Sequence, residues 1–218
     1  MWKPIPGETP IDDVSGLKVK GIRLRKELNR LEAENILKAT QKYFSGHLTK
    51  RKAPFDYAWV LRLHEEMFGD VWVWAGRLRH FDTNLGVPHR QIEGRLFDLL
   101  KDMDYWTDSP WSMQAAFLHH RSVSIHPFPN GNGRWARMLA NILLRLNGQS
   151  YTLWPEATVG EANVVRDEYL GALRAADEGD YDPLQKMHQR FAQPKAHEGA
   201  GKERPVARRA RGRRRKRK

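Results

Sequence analysis

The residues with the most chemical potential lie within one short stretch, His126 to Arg137, which reads HPFPNGNGRWAR. Pro127 and Pro129 forbid a helix across its first half. Gly131 and Gly133 let the backbone reach conformations closed to other residues and approach a ligand closely. A helix follows at once, with Trp135, Leu139, Ile142 and Leu146 on one face and Gly148 as its stop. A glycine turn that opens a helix presents backbone N–H groups at the positive end of the helix dipole, and anions bind there. Arg134 and Arg137 lie three residues apart in the first turns, so both point toward one polyphosphate. Cations in that position oppose the dipole, and an anion between them resolves the conflict. His126, at the other end of the loop, is placed to take a proton from an attacking hydroxyl, a role that typically contributes ~10²–10⁴-fold in rate. A lone histidine is more often structural and a lone GNG is usually a turn. Their combination within one loop predicts phosphoryl or nucleotidyl chemistry.

The elements that must position this loop read as helices. Leu24, Leu28 and Leu31 mark an amphipathic helix over about 22–44, closed by Ser45-Gly46; Trp59, Leu63 and Met67 mark another over 56–68, stopped at Gly69. Ile92, Leu96, Leu99, Met103 and Trp106 give a helical period over 91–106. Asp108-Ser109-Pro110 supplies a cap and a first-turn proline for a helix running to about Val123. Thr158 with Glu161 forms a capping box ahead of Leu170 and Leu173, and Asp182-Pro183 opens a last helix carrying Leu184, Met187 and Phe191. One stretch interrupts the pattern. Residues 76–91, GRLRHFDTNLGVPHRQ, hold turn chemistry at Asn84-Leu85-Gly86 and Pro88. They are expected to form a short two-stranded flap, with an irregular connector as the other reading. The fold class is all-α, in three parts: an N-terminal segment 1–54, a core 55–192 and a flexible basic tail 193–218.

With 218 residues and 40% apolar content, the chain buries one sizeable core. Eight tryptophans suit an aromatic-rich interior. With no cysteine there is no disulfide framework or thiolate metal site, which fits a reducing compartment. The first residues lack the basic patch and apolar run of a secretory signal, and no stretch approaches the ~18 apolar residues of a membrane span. A cytoplasmic protein without membrane partners is expected. The net charge of +12 is local: residues 208–218, RRARGRRRKRK, contain nine Lys or Arg, and the remaining 207 residues carry only +3. Such a tail meets phosphates of DNA or RNA, or an acidic partner, non-specifically, or is simply solvated.

HPFPNGNGRWAR resembles the Fic motif, H-x-F-x-(D/E)-G-N-(G/K)-R-x-x-R, and the resemblance extends over roughly residues 55–192. Within that family the chain is similar to the mobile mystery protein B group, associated with mobile elements. The resemblance implies a Fic-type helical bundle and a protein adenylyltransferase that moves AMP from ATP onto a Ser, Thr or Tyr hydroxyl of a target protein. It makes His126 the general base and Phe128 a core plug. It makes Gly131, Asn132 and Gly133 the anion hole, and gives Arg134 and Arg137 the β- and γ-phosphates. Gly133, where some relatives carry lysine, favours AMP transfer. Tyr169 corresponds to the adenine pocket, with a core tyrosine as the other reading. Leu85, Gly86 and Val87 would dock the target by strand addition.

Two positions bear on activity. Asn130 stands where the family usually has the Asp or Glu that ligates magnesium; an amide oxygen without charge holds Mg²⁺ more weakly. In Arg30-Leu31-Glu32-Ala33-Glu34-Asn35, Glu34-Asn35 matches the end of the family's inhibitory pattern, (S/T)-x-x-x-E-(G/N), while Arg30 replaces its Ser or Thr. Glu34 is then expected either to pair with Arg137 or to face solvent. Two further functions remain open: removal of AMP with Glu34 positioning water, and a weakly active protein that associates with nucleic acid through its tail. The resemblance also implies a toxin-like role with an antitoxin or regulatory partner.

Overall fold

The computed structural model describes residues 16–22, 24–155 and 164–194, and these are helical. In chain order the helices are α1 (Arg25–Phe44), α2 (Tyr57–Phe68), α3 (Ile92–Asp102), α4 (Trp111–Ile125), α5 (Asn132–Leu146), α6 (Val164–Asp177) and α7 (Asp182–Arg190). The capping pair Thr158/Glu161 and the basic stretch 208–218 lie outside the described residues.

Local chemistry sets the helix ends. Asp56 caps α2, its carboxylate accepting from Trp59 N at 2.7 Å. At α1 the carboxylate of Glu27 reaches back to Leu24 N at 3.2 Å. Leu24 therefore sits at the cap and is 60% exposed, so it does not join the inner stripe expected of it. The period that suggested one helix to Trp106 relaxes into a 3₁₀ turn at Met103–Tyr105.

The main core lies between α2, α4 and α5, with α1 laid across α2 and α3 against α4. Trp59, Leu63, Met67, Phe128, Trp135 and Ile142 are fully buried within it. The buried indoles find partners, as buried N–H groups must: Trp59 Nε1 donates to Tyr43 Oη at 3.1 Å, and Trp135 Nε1 to Val60 O at 3.0 Å. A smaller cluster joins α4 to α6 and α7 through Ala116, Trp154, Tyr169, Ala172, Leu184 and Met187.

The expected two-stranded flap does not form. Among the described residues the only β-pairings are isolated bridges, Leu17 with Trp72 and Thr152 with Ala192. Residues 77–88 run as an irregular loop because its two sides bond elsewhere. Arg79 N donates to Pro127 O at 2.9 Å and Val87 N to Ile125 O at 3.4 Å. The Phe81 and Val87 carbonyls, which a ladder would need, accept from the Arg79 side chain.

Candidate nucleotide-transfer site

The loop between α4 and α5 carries the site. His126 terminates α4 in the left-handed region (φ 52°, ψ 59°), its N–H bonded to Ser122 O at 3.3 Å. A non-glycine residue held there stores strain, of order 1–3 kcal/mol, and such strain gathers at functional positions. The chain then dives inward. Phe128 is fully buried, stacked on His64 with ring centroids 3.6 Å apart and edge-on to Trp135 at 5.0 Å. Asn132 locks the turn from both sides: Phe128 N donates to its Oδ1 and its Nδ2 donates to Phe128 O, both at 2.9 Å. The side chain of Asn132 is thus consumed by the loop, and only its main chain faces an anion. Gly131 has φ +80°, and a Cβ there would lie 2.7 Å from the Phe68 ring. No other residue fits that position.

His64, not singled out in the sequence, braces the same loop. Its Nδ1 accepts from Gly76 N at 3.0 Å, so the proton resides on Nε2 and is donated to Asn130 O at 3.0 Å. Burial pushes its pKa down to about 3 against the pull of that carbonyl, so the ring is neutral.

The expected anion site is assembled. His126, Gly131, Asn132, Gly133, Arg134, Arg137, Tyr169 and the loop residues Leu85, Gly86 and Val87 all line one cavity of about 1200 Å³. Small-ligand clefts are typically ~300–1,000 Å³, so this one has room for a nucleotide and part of a second substrate. The opening amides of α5 have no partner within their own helix. His126 is 7% exposed; burial, with the charge of Arg79 behind it, pushes its pKa down to about 4, against the pull of the Val123 backbone. The imidazole is therefore neutral at physiological pH and able to accept a proton.

The two arginines have different settings. The Arg137 guanidinium is buried, 5.7 Å from the centre of the Tyr169 ring. Arg134 lies over Phe68 at 4.8 Å and donates from Nη1 to Glu32 Oε2 at 2.8 Å. Glu32 is 2% exposed, and its other oxygen accepts from Trp72 Nε1 at 2.7 Å. Glu34 is elsewhere. It projects from the solvent side of α1, 57% exposed and 3.8 Å from Arg30, and does not meet Arg137. Helix geometry explains the exchange: Leu28, Glu32, Asn35 and Ala39 repeat on the buried face of α1, and Glu34 falls off it.

Tyr169 ends a row of buried polar groups that the sequence did not betray. Its hydroxyl is 3.0 Å from His119 Nε2, His119 Nδ1 is 3.2 Å from His188 Nε2, and His188 Nδ1 is 2.7 Å from Thr152 Oγ1. Burial holds both imidazoles neutral, His188 at about 3 and His119 well below its usual value, since protonating His119 would also set it against His188, were that ring protonated, and against the Arg137 charge. Each neutral ring donates from one nitrogen and accepts at the other, so the four side chains form one directional chain.

The side chains present do not fit a protein-held Mg²⁺. Asn130 Oδ1 already accepts from Gly131 N at 2.6 Å, and no group of three or more His, Asp or Glu side chains gathers among the described residues.

Residues 54–144 match the model of the Fic/DOC family. That segment is a Fic/DOC-family region. Curated Fic relatives include protein adenylyltransferase fic-1 of Caenorhabditis elegans, 30% identical over 132 residues (57% of this chain, 25% of the relative). Protein adenylyltransferase Fic of Drosophila virilis is 30% identical over 150 residues (66% and 29%). The chain spans under a third of the length of the curated relatives it matches. Among solved structures, residues 134–508 of Fic-1 from C. elegans superpose with a TM-score of 0.64 at 24% identity, covering 82% of this chain and 52% of that one. The BepC protein of Bartonella tribocorum with bound AMPPNP gives 0.61 at 19% identity, covering 86% and 97%. At these identities the likeness establishes a Fic fold. No helix among the described residues is long and apolar enough to cross a membrane.

Proposed function

We propose that this Fic domain is a protein adenylyltransferase, transferring AMP from ATP to a Ser, Thr or Tyr hydroxyl of a target protein. One observation carries the reading: a neutral histidine and two arginines face the same cavity as the N-terminus of α5. The triphosphate lies on the amides of Gly131 to Gly133 between Arg134 and Arg137. Tyr169 and its helix flank the nucleoside. A hydroxyl carried by a segment along Leu85 to Val87 gives its proton to His126 as its oxygen bonds to the α-phosphorus. The bond from that phosphorus to the β-bridging oxygen breaks, and pyrophosphate leaves toward the arginines. Preorganised amides and guanidinium groups stabilise the charge that develops. The curated names of the relatives support the same chemistry.

The test uses ATP labelled at either end. Label from the α-phosphate must appear on protein, label from the γ-phosphate must not, and His126→Ala must slow transfer by about 10²-fold or more. Label from the γ position would make the reaction a kinase reaction instead. Any divalent ion enters on the phosphates of ATP, since Asn130 offers it little.

The reverse reaction, with Glu34 positioning water, has less support, because Glu34 lies outside the cavity. The nine cations within residues 208–218 support an accessory contact with nucleic acid, whose affinity falls steeply with salt. A toxin-like role and an antitoxin partner belong to the same reading, by resemblance to the family, and the cysteine-free composition supports a reducing compartment such as the cytoplasm.

A further inference from the structure

We propose that Arg79 is the positioning residue for His126, tying the histidine's own carbonyl and both sides of the overlying loop into one rigid unit. Its side chain has no exposure to solvent. The nearest carboxylate, Asp82, is 3.9 Å away and 66% exposed, so it is a poor counter-ion. A buried cation so weakly paired is expensive, and something must require it. The requirement is three carbonyl oxygens that only a rigid fork of donors satisfies together. Arg79 Nε donates to His126 O at 2.7 Å, Nη1 to Phe81 O at 2.9 Å, and Nη2 to Val87 O.

The main chain extends the same clamp. Val87 N bonds to Ile125 O and Arg79 N to Pro127 O, so three consecutive carbonyls, 125 to 127, all accept from the 77–88 loop. Relaxing the left-handed backbone of His126 would swing its carbonyl off Nε. Gly86 packs against the same contact: a Cβ there would fall 2.3 Å from His126 Cβ, 2.9 Å from Ile125 O and 3.0 Å from Arg79 Nη2. The backbone of His126 is thus held by a buried cation and abutted by a glycine of the loop that would receive the hydroxyl. Docking of a segment on residues 85–87 is thereby registered to the base. The Arg79 charge also helps keep the imidazole unprotonated.

The kinetic arm of the test rests on the adenylyltransferase reading; the spectroscopic arm does not. Arg79→Lys keeps the charge with a single point donor, and Arg79→Gln removes the charge. For both, thermal unfolding, AMP-PNP affinity by calorimetry and single-turnover AMP transfer at saturating ATP are measured. The expected result is AMP-PNP affinity within about threefold of wild type and a transfer rate about 10²-fold lower, the usual effect of misplacing a reacting group by ~1 Å. Free guanidinium added to Arg79→Ala is expected to recover part of the rate. Unchanged rates in folded variants, or rate and affinity falling together, would overturn the proposal. If wild type transfers no AMP, the function is wrong, and the positioning role is still judged by ¹⁵N-histidine NMR. The His126 resonance, assigned with His126→Gln, should be single in wild type and shifted or multiple in Arg79→Lys. An unmoved resonance also overturns it.

Discussion

Glu32 accepts a hydrogen bond from Arg134 at 2.8 Å across a sequence separation of 102 residues, joining the N-terminal helix to the phosphate loop. The carboxylate thus occupies a guanidinium that a polyphosphate would also seek. Glu32→Gln keeps an acceptor for Trp72 Nε1 and removes the competing charge. Nucleotide affinity is expected to rise about 3–10-fold, an effect of order 1 kcal/mol. Glu34→Gln, on the solvent side, is expected to leave affinity and self-modification unchanged. Calorimetry with AMP-PNP decides between them; weaker binding in Glu32→Gln would instead make Glu32 an orienting partner of Arg134.

Removal of the imidazole separates binding from chemistry. His126→Ala is expected to bind nucleotide as wild type does and to lose about 10²–10⁴-fold in transfer rate.

The pH profile follows from the same residue. A base works unprotonated, and burial with the Arg79 charge sets His126 at about 4. In the free protein its acid limb lies near that value. Bound polyphosphate stabilises the imidazolium and moves the limb in kcat upward. Rate against pH at saturating ATP, compared with kcat/KM, should show this separation; coincident limbs contradict it.

Asn132 is expected to act through stability first. Asn132→Ala leaves Phe128 N and Phe128 O without partners in a buried turn, a loss of roughly 2–6 kcal/mol at ~1–3 kcal/mol per orphaned group. Urea unfolding measures it directly, and a loss below about 1 kcal/mol would show that the loop closes without this side chain.

Acid should unfold the protein before it titrates carboxylates. His64, His119, His126 and His188 all have folded values below the ordinary 6.5. The unfolded chain binds protons that the folded chain refuses, so stability is complete above pH 6.5 and falls as pH drops toward 3–4. Tm measured between pH 7 and pH 4.5 should decline steadily. His188→Asn should flatten the slope even if it lowers Tm at pH 7.

The sequence reveals the parts of this molecule that repeat or that depart from repetition. Helical periods placed α2 and α5 within a residue or two, because Trp59, Leu63 and Met67, and Trp135, Leu139 and Ile142, make one apolar face each. The motif loop was readable because prolines, paired glycines and arginines at a helix start have no ordinary structural use together. Glu34 was singled out from a linear pattern, whereas the burial of α1 turns Glu32 inward, and two residues along a helix are a rotation of about 200°. Arg79, His64, His119 and His188 gave no signal of their own. Each looks like an exposed polar residue until a partner distant in the chain supplies the reason for burial.

The chain of hydrogen bonds from Thr152 through His188 and His119 to Tyr169 has a practical corollary. The family match ends at residue 144, yet His119 on α4 has partners at residues 169 and 188, and Leu153 N bonds to Phe191 O at 2.7 Å. Trimming the protein to its recognisable segment would leave a neutral imidazole in the interior with nothing to bond. A fragment meant to keep this network must therefore reach at least to residue 192, past the end of the family match.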